Sequence, residues 1–183
     1  MGSERVSTWS GIRNKLEKDY LCPSLRGHIR YYAVSYSKSD DHEGRAAILL
    51  DGVEVLRSNY YAYAEKYWTR YQEIKERIPE EDTPRRTFQL AHMGALRAGC
   101  FDNWTLYEAF HIFDNQSIEK SLACENPLVR IFALLDRRLG KRRLLALAET
   151  MEQELDWVRV FYVIRMQAEG LTGGEWNSSL PRE

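Results

Sequence analysis

The sequence predicts an α+β fold: an N-terminal helix and a three-stranded antiparallel sheet, followed by a mainly helical C-terminal half. Three observations carry this reading. β-Forming residues alternate over His28–Tyr36, an Asp51-Gly52 pair stands between two apolar runs, and from Tyr60 onward apolar residues recur at helical spacing. Strands first and helices afterwards is the segregated order of an α+β chain, not the alternation of a parallel α/β sheet. With 183 residues there is enough chain for one sizeable core.

The elements follow in order. Ser7-Thr8-Trp9-Ser10 offers hydroxyls to cap a helix start, and Ile12, Leu16 and Tyr20 then recur as one apolar stripe. Pro23 and Gly27 interrupt it. In His28–Tyr36, Ile29, Tyr31 and Ala33 fall on one face, with Arg30, Tyr32, Val34 and Tyr36 on the other. The polar, acidic stretch 37–44 is a connection. Arg45–Leu50 and Val53–Arg57 flank Asp51-Gly52, the pair favoured by a type I′ hairpin turn because both positions need positive φ. Three strands alone bury too little, so this sheet needs a cover.

Tyr60–Ile78 reads as a long helix with Tyr63, Tyr67, Tyr71 and Ile74 on one stripe and Trp68 at its border. Residues 79–84 form a polar linker. Thr87–Ala98 is a helix closed by Gly99, and Trp104–Phe113 is another with Trp104, Tyr107, Phe110 and His111 on its apolar side. A short helix spans 117–124. Pro127 suits a first helical position, where its missing N–H costs nothing, and helices are expected at 127–139, 141–152 and 155–169. Residues 7–58 then form an α+β head, 60–170 a helical part and 171–183 a flexible tail, all within one folding unit.

Within the helical part a cassette occurs twice. Leu128-Val129-Arg130-Ile131-Phe132 is echoed by Trp157-Val158-Arg159-Val160-Phe161, and Gly140 and Gly170 follow the two copies. The stretch from Asn126 to Gly140 resembles the second helix of a HEAT-type repeat, and Asp156–Phe161 is similar, so residues 126–170 have a HEAT-like character. The spacing is short for that family, and two copies fall below the three that such stacks need. The same pattern also describes an ordinary amphipathic helix start. Arg130 and Arg159 are therefore either contacts for an acidic partner or structural ion pairs.

Composition excludes several function classes. The net charge of −1 supplies no global attraction to nucleic acid or anionic membrane. Cys22, Cys100 and Cys124 are odd in number and widely spaced, which argues against a disulfide framework or thiolate zinc site and suits a reducing cytoplasm. No apolar run is long enough for a membrane span, and residues 1–6 lack the apolar region of a signal peptide.

Two groups of side chains are candidate contacts. Arg137, Arg138, Lys141, Arg142 and Arg143 put five cations into seven residues between two helices, a cluster able to grip phosphate or an acidic protein surface. The bland alternative is a solvated loop balanced by Glu149, Glu152 and Glu154. Arg26, Arg30, Tyr32 and Tyr36, with His28, form a basic-aromatic group near one sheet face, a pattern that holds phosphates and stacks bases. A metal-dependent hydrolase would draw on Asp40, Asp41, Glu43, Asp51 and Glu54, but Asp51 already serves its turn and no lysine follows Glu54 at the spacing such sites use. Phosphate-loop, dinucleotide, serine-elbow and H-E-x-x-H patterns are absent, and His28, His42, His92 and His111 are scattered. No cofactor is expected.

Trp9-Ser10-x-Ile12-Arg13-Asn14-Lys15-Leu16, Leu21-Cys22-Pro23-Ser24-Leu25-Arg26-Gly27, Glu43-Gly44-Arg45, Asp51-Gly52-Val53-Glu54, Asn115-Gln116-Ser117-Ile118 and Leu135-Asp136-Arg137-Arg138-Leu139-Gly140-Lys141-Arg142 resemble the motifs of a family of small uncharacterised bacterial proteins. The resemblance spans most of the chain. It implies a bacterial cytosolic setting and carries no catalytic function. The expected function is a non-enzymatic protein-binding role of immunity or regulatory type. Nucleic-acid binding through the basic-aromatic sheet face is the alternative, and a metal-dependent hydrolase the third.

Overall fold

The computed structural model describes residues 8–36, 43–77 and 84–171. Helix α1 (Trp9–Asn14) begins at Thr8, whose hydroxyl accepts the Gly11 N–H at 3.4 Å. It runs directly into a π-helical segment, Lys15–Tyr20, closed by the Leu21 N–H on the Leu16 carbonyl five residues back. In an α-helix residues five apart diverge by about 140°. The wider winding lets Lys15 and Tyr20 reach one carboxylate, Asp114, with Nζ at 3.1 Å and the phenol at 2.5 Å.

Strands β1 (Ile29–Ser35), β2 (Gly44–Leu50) and β3 (Val53–Asn59) form an antiparallel sheet in that order. Asp51 (φ 50°) and Gly52 (φ 83°) both lie in the left-handed region, as a type I′ turn requires. A bulge follows: Ile48 pairs with Leu56 but Leu49 with Glu54, leaving Val55 unmatched. The face predicted from alternation is the buried one, with Ile29, Tyr31, Ile48 and Leu56 turned inward. At the start of β2, Gly44 runs hard against the next layer. A methyl group there would lie 2.0 Å from Asn103 Oδ1 and 2.5 Å from the Val34 carbonyl oxygen.

The remaining elements are helical: α2 (Tyr60–Lys75), α3 (Pro84–Arg97), α4 (Asn103–Asp114), α5 (Ile118–Leu122), α6 (Pro127–Leu135), α7 (Lys141–Ala146), α8 (Ala148–Glu152) and α9 (Asp156–Ala168). The sheet receives its cover from α1 and α4. Helix α6 is the centre of the molecule, since every residue in it except Arg130 is buried. The Tyr31 ring meets Phe132 edge-on at 5.7 Å, which joins sheet to helix. Helices α6 and α9 pack on one another, so the two cassette copies are neighbours, with Val129, Phe132, Val158 and Phe161 all buried. One hydrophobic cluster extends from Ile12 to Met166.

Several boundaries differ from expectation for local reasons. Helix α6 stops at Leu135 rather than 139 because Asp136 is extended and forms a β-bridge with Leu21. The Cys22 N–H donates to the Leu135 carbonyl at 2.9 Å, and the Arg137 N–H donates to the Tyr20 carbonyl at 2.7 Å. The expected helix 141–152 is two, α7 and α8, divided at Leu147. In α4 the buried side is Leu106, Ala109, Phe110 and Phe113, whereas Trp104 faces solvent. Helix α3 begins at Pro84, inside the expected linker. The expected tail beyond Leu171 lies outside the described residues.

Candidate functional site

Helix α2 starts at Asn59, whose side chain accepts the Ala62 N–H at 3.0 Å. Six of its sixteen residues are aromatic: Tyr60, Tyr61, Tyr63, Tyr67, Trp68 and Tyr71. None of its residues is buried. The predicted stripe exists but does not enter the core, because α2 rests mainly on α3. Gly94 makes that approach close; a methyl group there would lie 3.2 Å from Arg70 Cγ. The rings form an unbroken series. His92 meets Tyr63 at 5.9 Å, Tyr63 meets Tyr67 at 5.8 Å, Trp68 stands edge-on to Tyr67 and Tyr71, and Tyr71 stacks on Phe88 at 5.0 Å. Trp68 and Phe88 are exposed. The series borders a cleft of about 790 Å³ formed by α2, α3, α4 and the loop 124–126. An open apolar concavity with a few polar groups is the usual form of a binding site.

A polar relay crosses this cleft. Tyr63 Oη lies 2.8 Å from His92 Nδ1, and His92 Nε2 lies 3.3 Å from Glu108 Oε2. An ionised Glu108 only accepts, so Nε2 carries a proton, and in the neutral imidazole Nδ1 then accepts the Tyr63 phenol. The His92 hydrogen bond holds the Glu108 carboxyl below its ordinary pKa, against partial burial that raises it. Burial, then the Asp102 charge, keeps Tyr63 a neutral phenol. Because the folded-state pKa of Glu108 is depressed, its contribution to stability is present above the ordinary carboxyl range and is lost as pH falls through the folded value. Wild type and Glu108→Gln should therefore converge in stability on acidification in chemical unfolding; parallel pH curves would refute the assignment.

Arg130 lies beneath one wall. Its Nη1 donates to the Cys124 and Glu125 carbonyls at 2.6 and 3.0 Å, and its Nε and Nη2 clamp Glu154 at 2.6 and 2.7 Å. The first cassette arginine is thus a brace for the loop 124–126. Arg159 is half-buried and pairs with Asp156 on its own helix. The other predicted cations separate. Arg138 chelates the buried Asp136 and lies 4.9 Å from the Tyr20 ring centroid, Lys141 pairs with Glu169, and Arg143 pairs with Glu119. Arg137 and Arg142 are exposed, and neither side chain has an ion-pair partner among the described residues.

On the sheet, Arg30 pairs with Glu17, Tyr32 lies 5.5 Å from the Arg45 guanidinium, and Tyr36 and Arg26 are exposed at the two ends of β1. Asp40, Asp41 and His42 lie outside the described residues. Asp51 pairs with His28, and Glu54 with Arg45 and Arg57. Among the described residues no three His, Cys, Asp or Glu side chains converge on one point, and no helix is long and apolar enough to cross a membrane.

The sequence model of the SF0329 protein family matches residues 8–166. The chain belongs to the SF0329 protein family. No curated protein and no solved structure matches it. All the residues of the cleft fall within the stretch that defines family membership. So do the segments 21–27 and 135–142, quoted above for their resemblance, which meet at the Leu21–Asp136 bridge.

Tyr63 reads in the sequence as part of a stripe and His92 as a scattered histidine; nothing joins them to Glu108, because the three sit on three helices with no shared spacing. The available signal was the composition of residues 60–71, where aromatic rings are dense and aliphatic residues of the kind that fill cores are missing.

Proposed function

We propose that this chain is a non-enzymatic binding protein that holds a segment of a partner protein against the aromatic cleft of α2 and α3. One observation carries the reading: a helix with six aromatic residues and no buried residue borders an open cleft. Large rings left half-covered are the side chains that dominate protein interfaces, because they bury much area with few rotatable bonds. The polar relay fixes Tyr63, and Arg130 fixes the loop 124–126, so the walls are held before a partner arrives. Arg137 and Arg142, exposed and unpaired among the described residues, are a further contact for an acidic patch of the partner. A bacterial cytoplasmic setting, an immunity or regulatory role, and a HEAT-like stack of α6 on α9 belong to the same proposal.

The test is site-specific photo-crosslinking in host cells. A benzophenone side chain at Trp68 should trap one protein, and the same group at exposed Leu145 should not. Loss of that adduct in a Phe88→Ser background would support the cleft. No adduct at position 68, or equal adducts at both positions, would refute it.

A second reading has its own observation. A groove of about 480 Å³ between the first helix and β1 is lined by Arg13, Lys18, Arg30 and Tyr32, with Glu17 opposing them. It suits a phosphate backbone and a stacked base. A low-salt titration with single-stranded RNA or DNA tests it, and absence of any shift at low salt would exclude it.

A further inference from the structure

The cleft lining carries two carboxylates against one arginine, and this points to its occupant. Glu108 on α4, bonded to His92, and Glu125 in the loop before α6 both line it. Neither carboxylate has a lysine or arginine partner among the described residues. Among the described residues Glu108 bonds only the imidazole, and its side chain is 55% exposed. Arg130 behind the loop 124–126 is neutralised by Glu154, and Arg85, the arginine in the lining, stands seven residues from His92 along α3. That spacing is about 10 Å, a separation that leaves the carboxylate end locally negative. The faces of the rings add to that negative potential, because an aromatic quadrupole presents its electron-rich face to a cation.

We infer that the cleft takes a basic residue of the partner, with its guanidinium or ammonium group between Glu108 and Glu125 and its aliphatic stem along Tyr63 and Tyr67. This rests on the docking reading above and adds the chemistry of the docked segment. Arginine fits better than lysine, since its planar group both stacks on a tyrosine and bonds two carboxylates. Apolar residues flanking it lie along Trp68 and Phe88, and Arg85 favours an acidic residue at the far end of the same segment.

Three synthetic amphipathic peptides, identical except for one arginine, citrulline or glutamate, test this against the full chain by NMR titration. The arginine peptide should bind at least tenfold more tightly than the citrulline peptide and move the Tyr63, Tyr67 and Trp68 signals. That preference, read as the ratio of arginine to citrulline affinity, should fall toward one in Glu108→Gln/Glu125→Gln. Equal binding of the three, or preference for glutamate, overturns the basic occupant and leaves apolar docking standing. If no peptide moves these signals, the basic occupant also falls, and the crosslink at position 68 then decides the docking reading separately.

Discussion

Gly44→Ala is expected to destabilise the protein by about 3 kcal/mol, at the upper end of what overpacking costs. The added methyl would lie 2.0 Å from Asn103 Oδ1, 2.4 Å from Asn103 Cγ and 2.5 Å from the Val34 carbonyl oxygen. An amide side chain can turn away, but a backbone carbonyl in the paired strand cannot. Asn103 is 1% exposed, and its amide oxygen and nitrogen have no hydrogen-bond partner among the described residues. Asn103→Ala therefore loses packing but also removes an unsatisfied polar group, and these opposing effects keep its cost near ~1 kcal/mol. The double variant should recover part of the Gly44→Ala loss, because only the Val34 contact remains. Urea unfolding of the four proteins measures this coupling. Strict additivity would show that Asn103 is not what Gly44 meets.

Arg165→Ala should cost about 3 kcal/mol by the same measurement. Arg165 is 3% exposed, and its guanidinium donates to the Leu135, Asp136 and Leu139 carbonyls at 3.0–3.1 Å. Its Nε lies 3.1 Å from Glu169, off the direction a hydrogen bond needs, so that contact is Coulombic. The Leu135 and Asp136 carbonyls keep other donors, the Cys22 and Leu139 N–H groups. The Leu139 carbonyl has no other described donor. Arg165→Met should restore the packing share only, since it fills the space without donating. Lysine should fall short as well, because one ammonium cannot span three carbonyls as a planar fork does. A fully stable Arg165→Met would show that the bonds to the end of α6 contribute little.

Those two residues show where legibility in the sequence stops. The sheet was readable because its signals are local: alternation over Ile29–Ala33, and Asp51-Gly52 whose φ values permit one kind of turn. The α+β order and the start of α6 at Pro127 were readable for the same reason. The end of α6 was not, because Asp136 leaves the helix to meet Leu21 and Arg165, both remote in sequence. The cassette arginines illustrate the same limit. Spacing made Arg130 and Arg159 equivalent, but Glu154 and two carbonyls engage the first while the second reaches only its own helix. For the cleft, the stripe on α2 was legible as a stripe, whereas its exposure depends on what the rest of the chain packs elsewhere. Its polar groups belong to three helices and come together only in the fold.

The pairing of residues 20–22 with 135–137 has a consequence in time. Its two strands lie more than a hundred residues apart in the chain, so during synthesis the first waits unpaired until most of the protein has been made. Closing it carries a large loop entropy, and it ties the first helical segment to the end of α6. The Cys22 and Arg137 amides should accordingly exchange with deuterium only when the whole molecule opens, at the rate of the most protected β2 amides. Earlier exchange at these two positions would make the pairing a local fastening rather than the latch that completes folding.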